Sequence, residues 1–323
     1  MRRPTVPVKP FRFAVQASNA ASGSAWRDLA RKVEDLGFST LQLPDHYVDA
    51  ASNGGQGIAA IPAMAVAAAV TTTLRVGSRV FCVDYHHPAV LAKEIATLDL
   101  LSDGRVEMGL GAGWTASEYE AVGLAMDTAP IRIKRLADTV AFLDAWFSGE
   151  ALDFAAGDIR ASGFKGQPMA VQSPRPPLMI GGGARKVLTF AGSVADIVSF
   201  NFDNRAGVVG PAGVQSSVAS AMDDKIAWVR EGAGARFDDI ELEVGAYFTV
   251  VTDEAAATAE KMGSMFALSG PDMAAHPNAL IGSIDHICDT LQERRERYGF
   301  SYVSVSDRNA DAFAPVVARL AGT

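Results

Sequence analysis

The stretch Leu41-Gln-Leu-Pro-Asp-His-Tyr-Val48 starts as a buried strand and stops at a cluster of chemistry-bearing side chains. Alternating apolar residues run into Pro44, which has no N–H for a strand ladder, and then into a carboxylate, an imidazole and a phenol. Similar short apolar runs recur along the chain at residues 11–18, 75–82, 106–113, 177–183, 196–201, 240–250 and 302–306, with this one covering 39–46. Helical stripes lie between them. Trp26, Leu29, Val33 and Leu36 mark one helix face that Gly37 closes, and the apolar run 58–70 reads as a packed helix. Pro88 opens a helix with core face Leu91, Ile95 and Leu98; Pro130 opens another with Ile133, Leu136, Val140, Leu143 and Phe147. Residues 151–176 break the rhythm and read as an excursion, and residues 269–283, with Pro271 and Pro277, read as a loop. Eight strands with intervening helices predict an α/β protein, a single (β/α)8 TIM barrel over residues 1–323, in preference to an open doubly wound sheet.

Composition agrees with such a domain and limits its partners. The 323 residues are 49% hydrophobic and 20% charged, with a net charge of -8, which argues against nucleic acid or an anionic membrane as partner. Cys82 and Cys288 match no metal-ligand spacing and suit a reducing, cytoplasmic setting without disulfides. The basic N-terminus lacks an apolar segment behind it, so no signal peptide is expected, and the 58–70 run is too short to span a bilayer. No metal site is expected, because no His, Asp or Glu trio has the spacing for one.

In barrels of this kind chemistry sits at the carboxyl ends of the strands, and Asp45-His46, Phe81-Cys82, Gly111-Ala-Gly113, Gly181-Gly-Gly183 and Asn201 all fall there. The glycines at 109, 111 and 113 clear one face of strand four, either for a large flat ligand or to ease packing. Thr115-Ala-Ser-Glu118 reads as a capping box that starts a helix at once. Leu178-Met-Ile-Gly-Gly-Gly-Ala-Arg-Lys186 is a strand, a glycine turn and a helix start, whose amides suit phosphate; Arg185 and Lys186 read equally as added charge or as solvated cations. His86 and His87, before Pro88, read as capping and packing residues, and His276 and His286 as exposed.

These stretches together resemble the bacterial luciferase-like monooxygenase superfamily, and within it the oxidoreductases that use the deazaflavin coenzyme F420. The markers are Leu43-Pro-Asp-His-Tyr47, Leu101-Ser-Asp-Gly-Arg-Val-Glu-Met-Gly-Leu-Gly-Ala-Gly-Trp114, Pro177-Leu-Met-Ile-Gly-Gly-Gly183 and Ala191-Gly-Ser-Val-Ala-Asp196. The resemblance implies that Asp45 contacts the cofactor ring, that His46 stands beside the hydride-transfer carbon, and that both are catalytic. It implies a bulge with a non-prolyl cis peptide at Arg79–Val80, with Arg79, Val80 and Cys82 at the cofactor. Gly111, Ala112, Gly113, Ser117, Gly181, Gly182, Gly183 and Arg185 would line the cofactor and its phosphate. Sugar-phosphate dehydrogenases of this group carry a glutamate directly after the strand-four glycines. Trp114 stands there instead, which points to an aromatic pocket with Phe81, Trp114, Tyr119 and Phe202 as walls, and to Glu118 or Tyr119 as proton source.

The implied activity is hydride transfer between F420 and a small organic substrate. The alternatives are an FMN-dependent monooxygenase supplied by a separate reductase, and a non-catalytic barrel that stores or senses a flavin-like ligand. A homodimer through the apolar helices after strands two and three is also expected.

Overall fold

The computed structural model describes residues 9–47, 56–208 and 210–323. Among them, eight parallel strands form the barrel sheet: β1 (Arg12–Gln16), β2 (Thr40–Leu43), β3 (Arg75–Ser78), β4 (Val106–Gly111), β5 (Leu178–Gly182), β6 (Ile197–Phe200), β7 (Glu241–Gly245) and β8 (Phe300–Ser306). The sheet order follows the chain from β5 through β8 to β1 and on to β4, and β4 pairs with β5, so the sheet closes as a (β/α)8 TIM barrel.

Contacts divide the chain into two compact units. The first comprises the chain up to Gln16, Val33–Thr40 and Ile180–Thr323. Within it β6, β7, β8 and β1 are parallel neighbours, with Ile197 opposite Glu241 and Arg12 opposite Tyr302. Arg12 binds Glu241 through two nitrogens and stacks its guanidinium over the Tyr302 ring at 3.5 Å, so a cation within the sheet is paired on both sides. The second unit comprises Ala17–Lys32 and Leu41–Met179. There Val76 of β3 lies opposite Val106 of β4, and all six residues of β4 are buried, as parallel strands covered on both faces must be. Arg105 fixes the turn before β4 by donating to the carbonyls of Ala68, Leu74 and Ser102.

The strands are mostly shorter than their apolar runs. β2 stops at Leu43, before Pro44. The 75–82 run splits into β3 and a short strand, Phe81–Cys82, around the Arg79–Val80 peptide, which is cis. The 240–250 run also splits: β7 ends at Gly245, and Phe248–Val251 leaves the barrel to pair in parallel with Ala279–Gly282. The segment expected to be a loop, 269–283, therefore carries a strand, and also a short helix, Gly270–Ala274. That helix has Ser269 as its cap, its Oγ accepting from Asp272 N and donating to Asp272 Oδ2 at 2.6 Å, with Pro271 in its first turn, where a missing N–H costs nothing. Pro271 there starts structure rather than breaking it. The excursion is an antiparallel hairpin, Ala151–Ala156 with Ile159–Lys165. Its return is tied down by Asp99, which accepts from the Val171 and Gln172 amides and from Gln172 Nε2.

Between the paired residues Gly77/Glu107 and Phe81/Leu110, the β3 side has three residues, 78 to 80, against two on β4, 108 and 109. One extra residue makes a bulge, which turns the end of β3 out of its ladder. Ser78 clamps it: Oγ donates to Gly109 O at 2.8 Å and accepts from Gly109 N at 2.9 Å. A Cβ on Gly109 would stand 2.1 Å from Ser78 O, a backbone atom that cannot swing aside. Gly109 therefore serves close backbone approach within the protein. Gly109→Ala is expected to lower stability by about 1–3 kcal/mol, as overpacking does. Gly23→Ala, where the new Cβ would meet only Arg27 Nη1 at 3.5 Å, should leave it within about 0.5 kcal/mol. Urea unfolding of both variants measures the difference.

Candidate active site

The second unit gathers the ends of β2 and β4 and the bulge after β3. Arg79 N donates to Leu43 O at 2.7 Å, which sets the bulge against the end of β2. Asp45 then reaches across: its Oδ2 accepts from Cys82 N at 3.1 Å and from His86 Nε2 at 2.8 Å. Asp45 thus holds the chain after β3 in place, and His86, expected to cap and pack, is its partner. His87 does cap the helix that follows, accepting from Ala89 N.

His46 is 37% exposed and its Nδ1 lies 2.8 and 3.0 Å from the two oxygens of Glu118, which is only 3% exposed. Tyr85 donates to Glu118 Oε2 at 3.2 Å. The Trp114 ring meets the imidazole edge-on at 5.8 Å, and Tyr47, 59% exposed, lies edge-on against Tyr85 at 5.0 Å. The expected capping box does not form. Thr115 is the N-cap of the helix Ala116–Ala121, but its side chain makes no cap hydrogen bond, and the Glu118 carboxylate turns to His46. The reason is geometric: Glu118 is one turn into that helix, on the face toward the end of β2, where an imidazole offers a stronger partner than a backbone amide. The sequence pattern Ser/Thr-x-x-Glu marked this residue but for a different bond.

Behind His46 lies a second layer. Tyr119 Oη donates to Asp84 at 2.7 Å and lies 3.3 Å from Cys82 Sγ. Arg135 bridges Asp84 and Asp127, and Arg132 donates to the carbonyls of Ala112, Gly113 and Asp127. Burial pushes Tyr119 up, helped by its bond to Asp84, and burial likewise raises Tyr85, so both phenols stay protonated as donors. Burial pushes the Cys82 thiol up to about 11. Tyr119 and Phe81 are buried, Phe81 against the His86 ring, so both support the site from within rather than wall an open pocket. Gly113, at φ +73°, has its missing Cβ aimed at Tyr119 Oη, 2.0 Å away, so its bareness admits the tyrosine rather than a ligand. Gly111 is buried at the end of β4, Ala112 is half-buried and Ser117 is exposed.

The first unit holds the other expected residues. Gly183 is tight against the end of β6: a Cβ would lie 2.1 Å from Phe202 O and 2.6 Å from Asn201 O. Gly182 is similarly close to Val187, and Gly181 is half-buried. Arg185, 64% exposed, pairs with Glu231 at 3.0 Å, a neighbour on the helix Ala219–Ala233, which draws it away from a phosphate role. Phe202 is buried in an aromatic cluster with Tyr247, Phe248 and His276. His276 is buried, not exposed. Its Nε2 donates to Val214 O and its Nδ1 accepts from Asn278 N, an arrangement only the neutral ring satisfies. Burial holds it down at about 4. The buried Lys225 donates to Asn201 O and Ser217 Oγ, both at 2.6 Å, and burial lowers it to about 8.

With this geometry in view, the chain can be placed among known proteins. Residues 8–286 match the luciferase-like monooxygenase family, and the chain belongs to it. It is 28% identical over 238 residues to an F420-dependent glucose-6-phosphate dehydrogenase of Nakamurella multipartita, covering 72% of this chain and 66% of that protein. Matches to such dehydrogenases span 35% to 66% of their length. Among solved structures, the coenzyme F420-dependent tetrahydromethanopterin reductase of Methanopyrus kandleri superposes with a TM-score of 0.75 at 16% identity, covering 97% of this chain and 100% of that one. A riboflavin lyase carrying modified FMN superposes at 0.73 with 16% identity, covering 96% and 91%. Both share the fold. Among the described residues, no helix is long and apolar enough to cross a membrane.

Two outcomes follow from burial. Cys82 and Cys288 are both buried, with thiols raised by that burial, so a thiol reagent at pH 8 should label neither in the native protein and both after guanidinium unfolding. Since folding lowers the His276 value, its contribution is whole above the ordinary imidazole range near 6.5 and is lost as pH falls through about 4. Urea midpoints should fall between pH 6.5 and 4, and His276→Gln, less stable at pH 7, should flatten that fall.

Proposed function

We propose that this protein is an oxidoreductase that transfers hydride between coenzyme F420 and a small organic substrate. The observation that carries the reading is His46: a half-exposed imidazole at the end of β2, backed by a buried carboxylate and flanked by the Trp114 ring. Its kinship with F420-dependent dehydrogenases supports the same choice of cofactor. Trp114, standing beside His46, favours a substrate less polar than a sugar phosphate.

The donor set suits a flat polar ligand at the strand ends. Thr115 Oγ1, after β4, is buried with no hydrogen-bond partner, and a bound molecule would satisfy it. The backbone at Val80 to Cys82 and at Gly111-Ala112 would hold the deazaflavin. When bound, F420 gives or takes hydride at a ring carbon. The chain's own part is orientation and proton management. Asp45 fixes the bulge through Cys82 N. His46 exchanges the substrate's proton at Nε2, the nitrogen with no partner among the described residues, while Nδ1 faces Glu118. The Trp114 ring presents an apolar edge beside His46.

FMN is the second reading, favoured by the FMN-bearing structure of the same fold. Titrating the protein with F420 and with FMN under equal conditions separates the two: F420 is expected to bind more tightly, and equal or reversed affinities would move the assignment to FMN. His46→Asn is expected to slow single-turnover hydride transfer to small carbonyl and enone compounds by about 10²–10⁴-fold, with cofactor affinity little changed. A near-normal rate would reduce His46 to a packing residue.

A further inference from the structure

We propose that Glu118 is a positioning residue that fixes His46 in its Nδ1–H tautomer, leaving Nε2 as a lone pair ready to take a substrate hydroxyl proton. The inference deepens the hydride-transfer reading and rests on it. Three observations converge. First, both Glu118 oxygens lie within 3.0 Å of Nδ1, and an ionised carboxylate only accepts, so Nδ1 must carry the hydrogen. Second, Tyr85 donates to Oε2 at 3.2 Å, so the carboxylate is gripped from its other side and cannot rotate away from the ring. Third, Glu118 is nearly fully buried while the imidazole is not. The acid therefore sits behind the histidine, where it cannot itself meet substrate.

The chemistry this permits is balanced. In the oxidation of an alcohol, the carbinol C–H bond breaks and its electron pair leaves as hydride to the deazaflavin. The O–H bond breaks and its proton goes to His46 Nε2, and the C=O double bond forms. The positive charge then on the ring is stabilised at Nδ1–H by Glu118, as a carboxylate behind a histidine does elsewhere. In the reverse direction the same imidazolium returns the proton to the carbonyl oxygen. The opposite tautomer, with hydrogen on Nε2, offers no lone pair to the hydroxyl and would stall the step.

The tautomer can be read directly in the full-length protein without substrate. Long-range proton–nitrogen correlation spectra of the 15N-histidine-labelled protein at pH 8.5, with His46 identified by the signals missing from His46→Asn, should show hydrogen on Nδ1. That is the form free histidine disfavours. In Glu118→Leu, which removes the acceptor, His46 should revert to the Nε2–H form, while F420 affinity measured by fluorescence stays within about threefold; a tautomer switch without loss of ligand is not what a merely structural residue gives. An Nε2–H signal in the wild-type protein, or the same Nδ1–H signal in the variant, would overturn the proposal. Should Glu118→Leu not fold, the wild-type spectrum alone decides. Failure of the wild-type protein to bind F420, with the Nδ1–H signal present, would instead bring down the functional reading, and the role in hydride transfer with it.

Discussion

The second unit depends on how closely Ser78 and Gly109 approach. The Ser78 hydroxyl bonds both the N–H and the C=O of Gly109, and the 2.1 Å that a Cβ would leave to Ser78 O admits only glycine. That clamp holds β3 to β4 where β3 gains its extra residue. The bulge turns Arg79 N to Leu43 O and offers Cys82 N to Asp45. Without it, the end of β2 would have no backbone to lean on, and Asp45-His46-Tyr47 would be a bare loop.

From that base the site is built in layers. Asp45 and His86 fix the chain after β3. Glu118, one turn into the helix after β4, fixes His46. Deeper still, Asp84 is shared by Tyr119 and Arg135, and Arg132 gathers the carbonyls that follow β4. Each buried charge has a partner, which is the condition for placing so many in one unit. His46 presents its titratable ring to solvent. The first unit follows the same rule with different residues: His276 is kept neutral by one donor and one acceptor, and Arg294 is satisfied by the carbonyls of His276, Pro277 and Ala279.

Several residues took a role other than the one their pattern suggested, and each for a nameable reason. Thr115-x-x-Glu118 has the spacing of a capping box, but spacing cannot say that an imidazole from 72 residues upstream stands closer to the carboxylate than its own helix start. Gly113 was legible as a position bare of a side chain, and Gly183 as one of the glycines of a turn. What excludes a side chain, Tyr119 in one case and the backbone at Asn201 and Phe202 in the other, is a contact made only on folding. Arg185 carries charge suited to phosphate, yet Glu231 on another helix pairs with it. His276 sits among Pro and Asn in a stretch that reads as loop, and tertiary packing buries it completely.

What the sequence determined by itself was the order of strands and helices, hence the barrel, and the placement of Asp45, His46 and the glycine turns at strand ends. Those follow from local periodicity and from Pro and Gly, which act on the backbone at their own positions. The Arg79–Val80 bulge was also legible, through resemblance to a family in which it recurs. Only the tertiary structure decided the partners: Glu118 for His46, His86 for Asp45, Glu231 for Arg185. A hydrogen bond is fixed by distance and direction between groups far apart in sequence, and nothing in the local pattern of either group encodes where the other will stand.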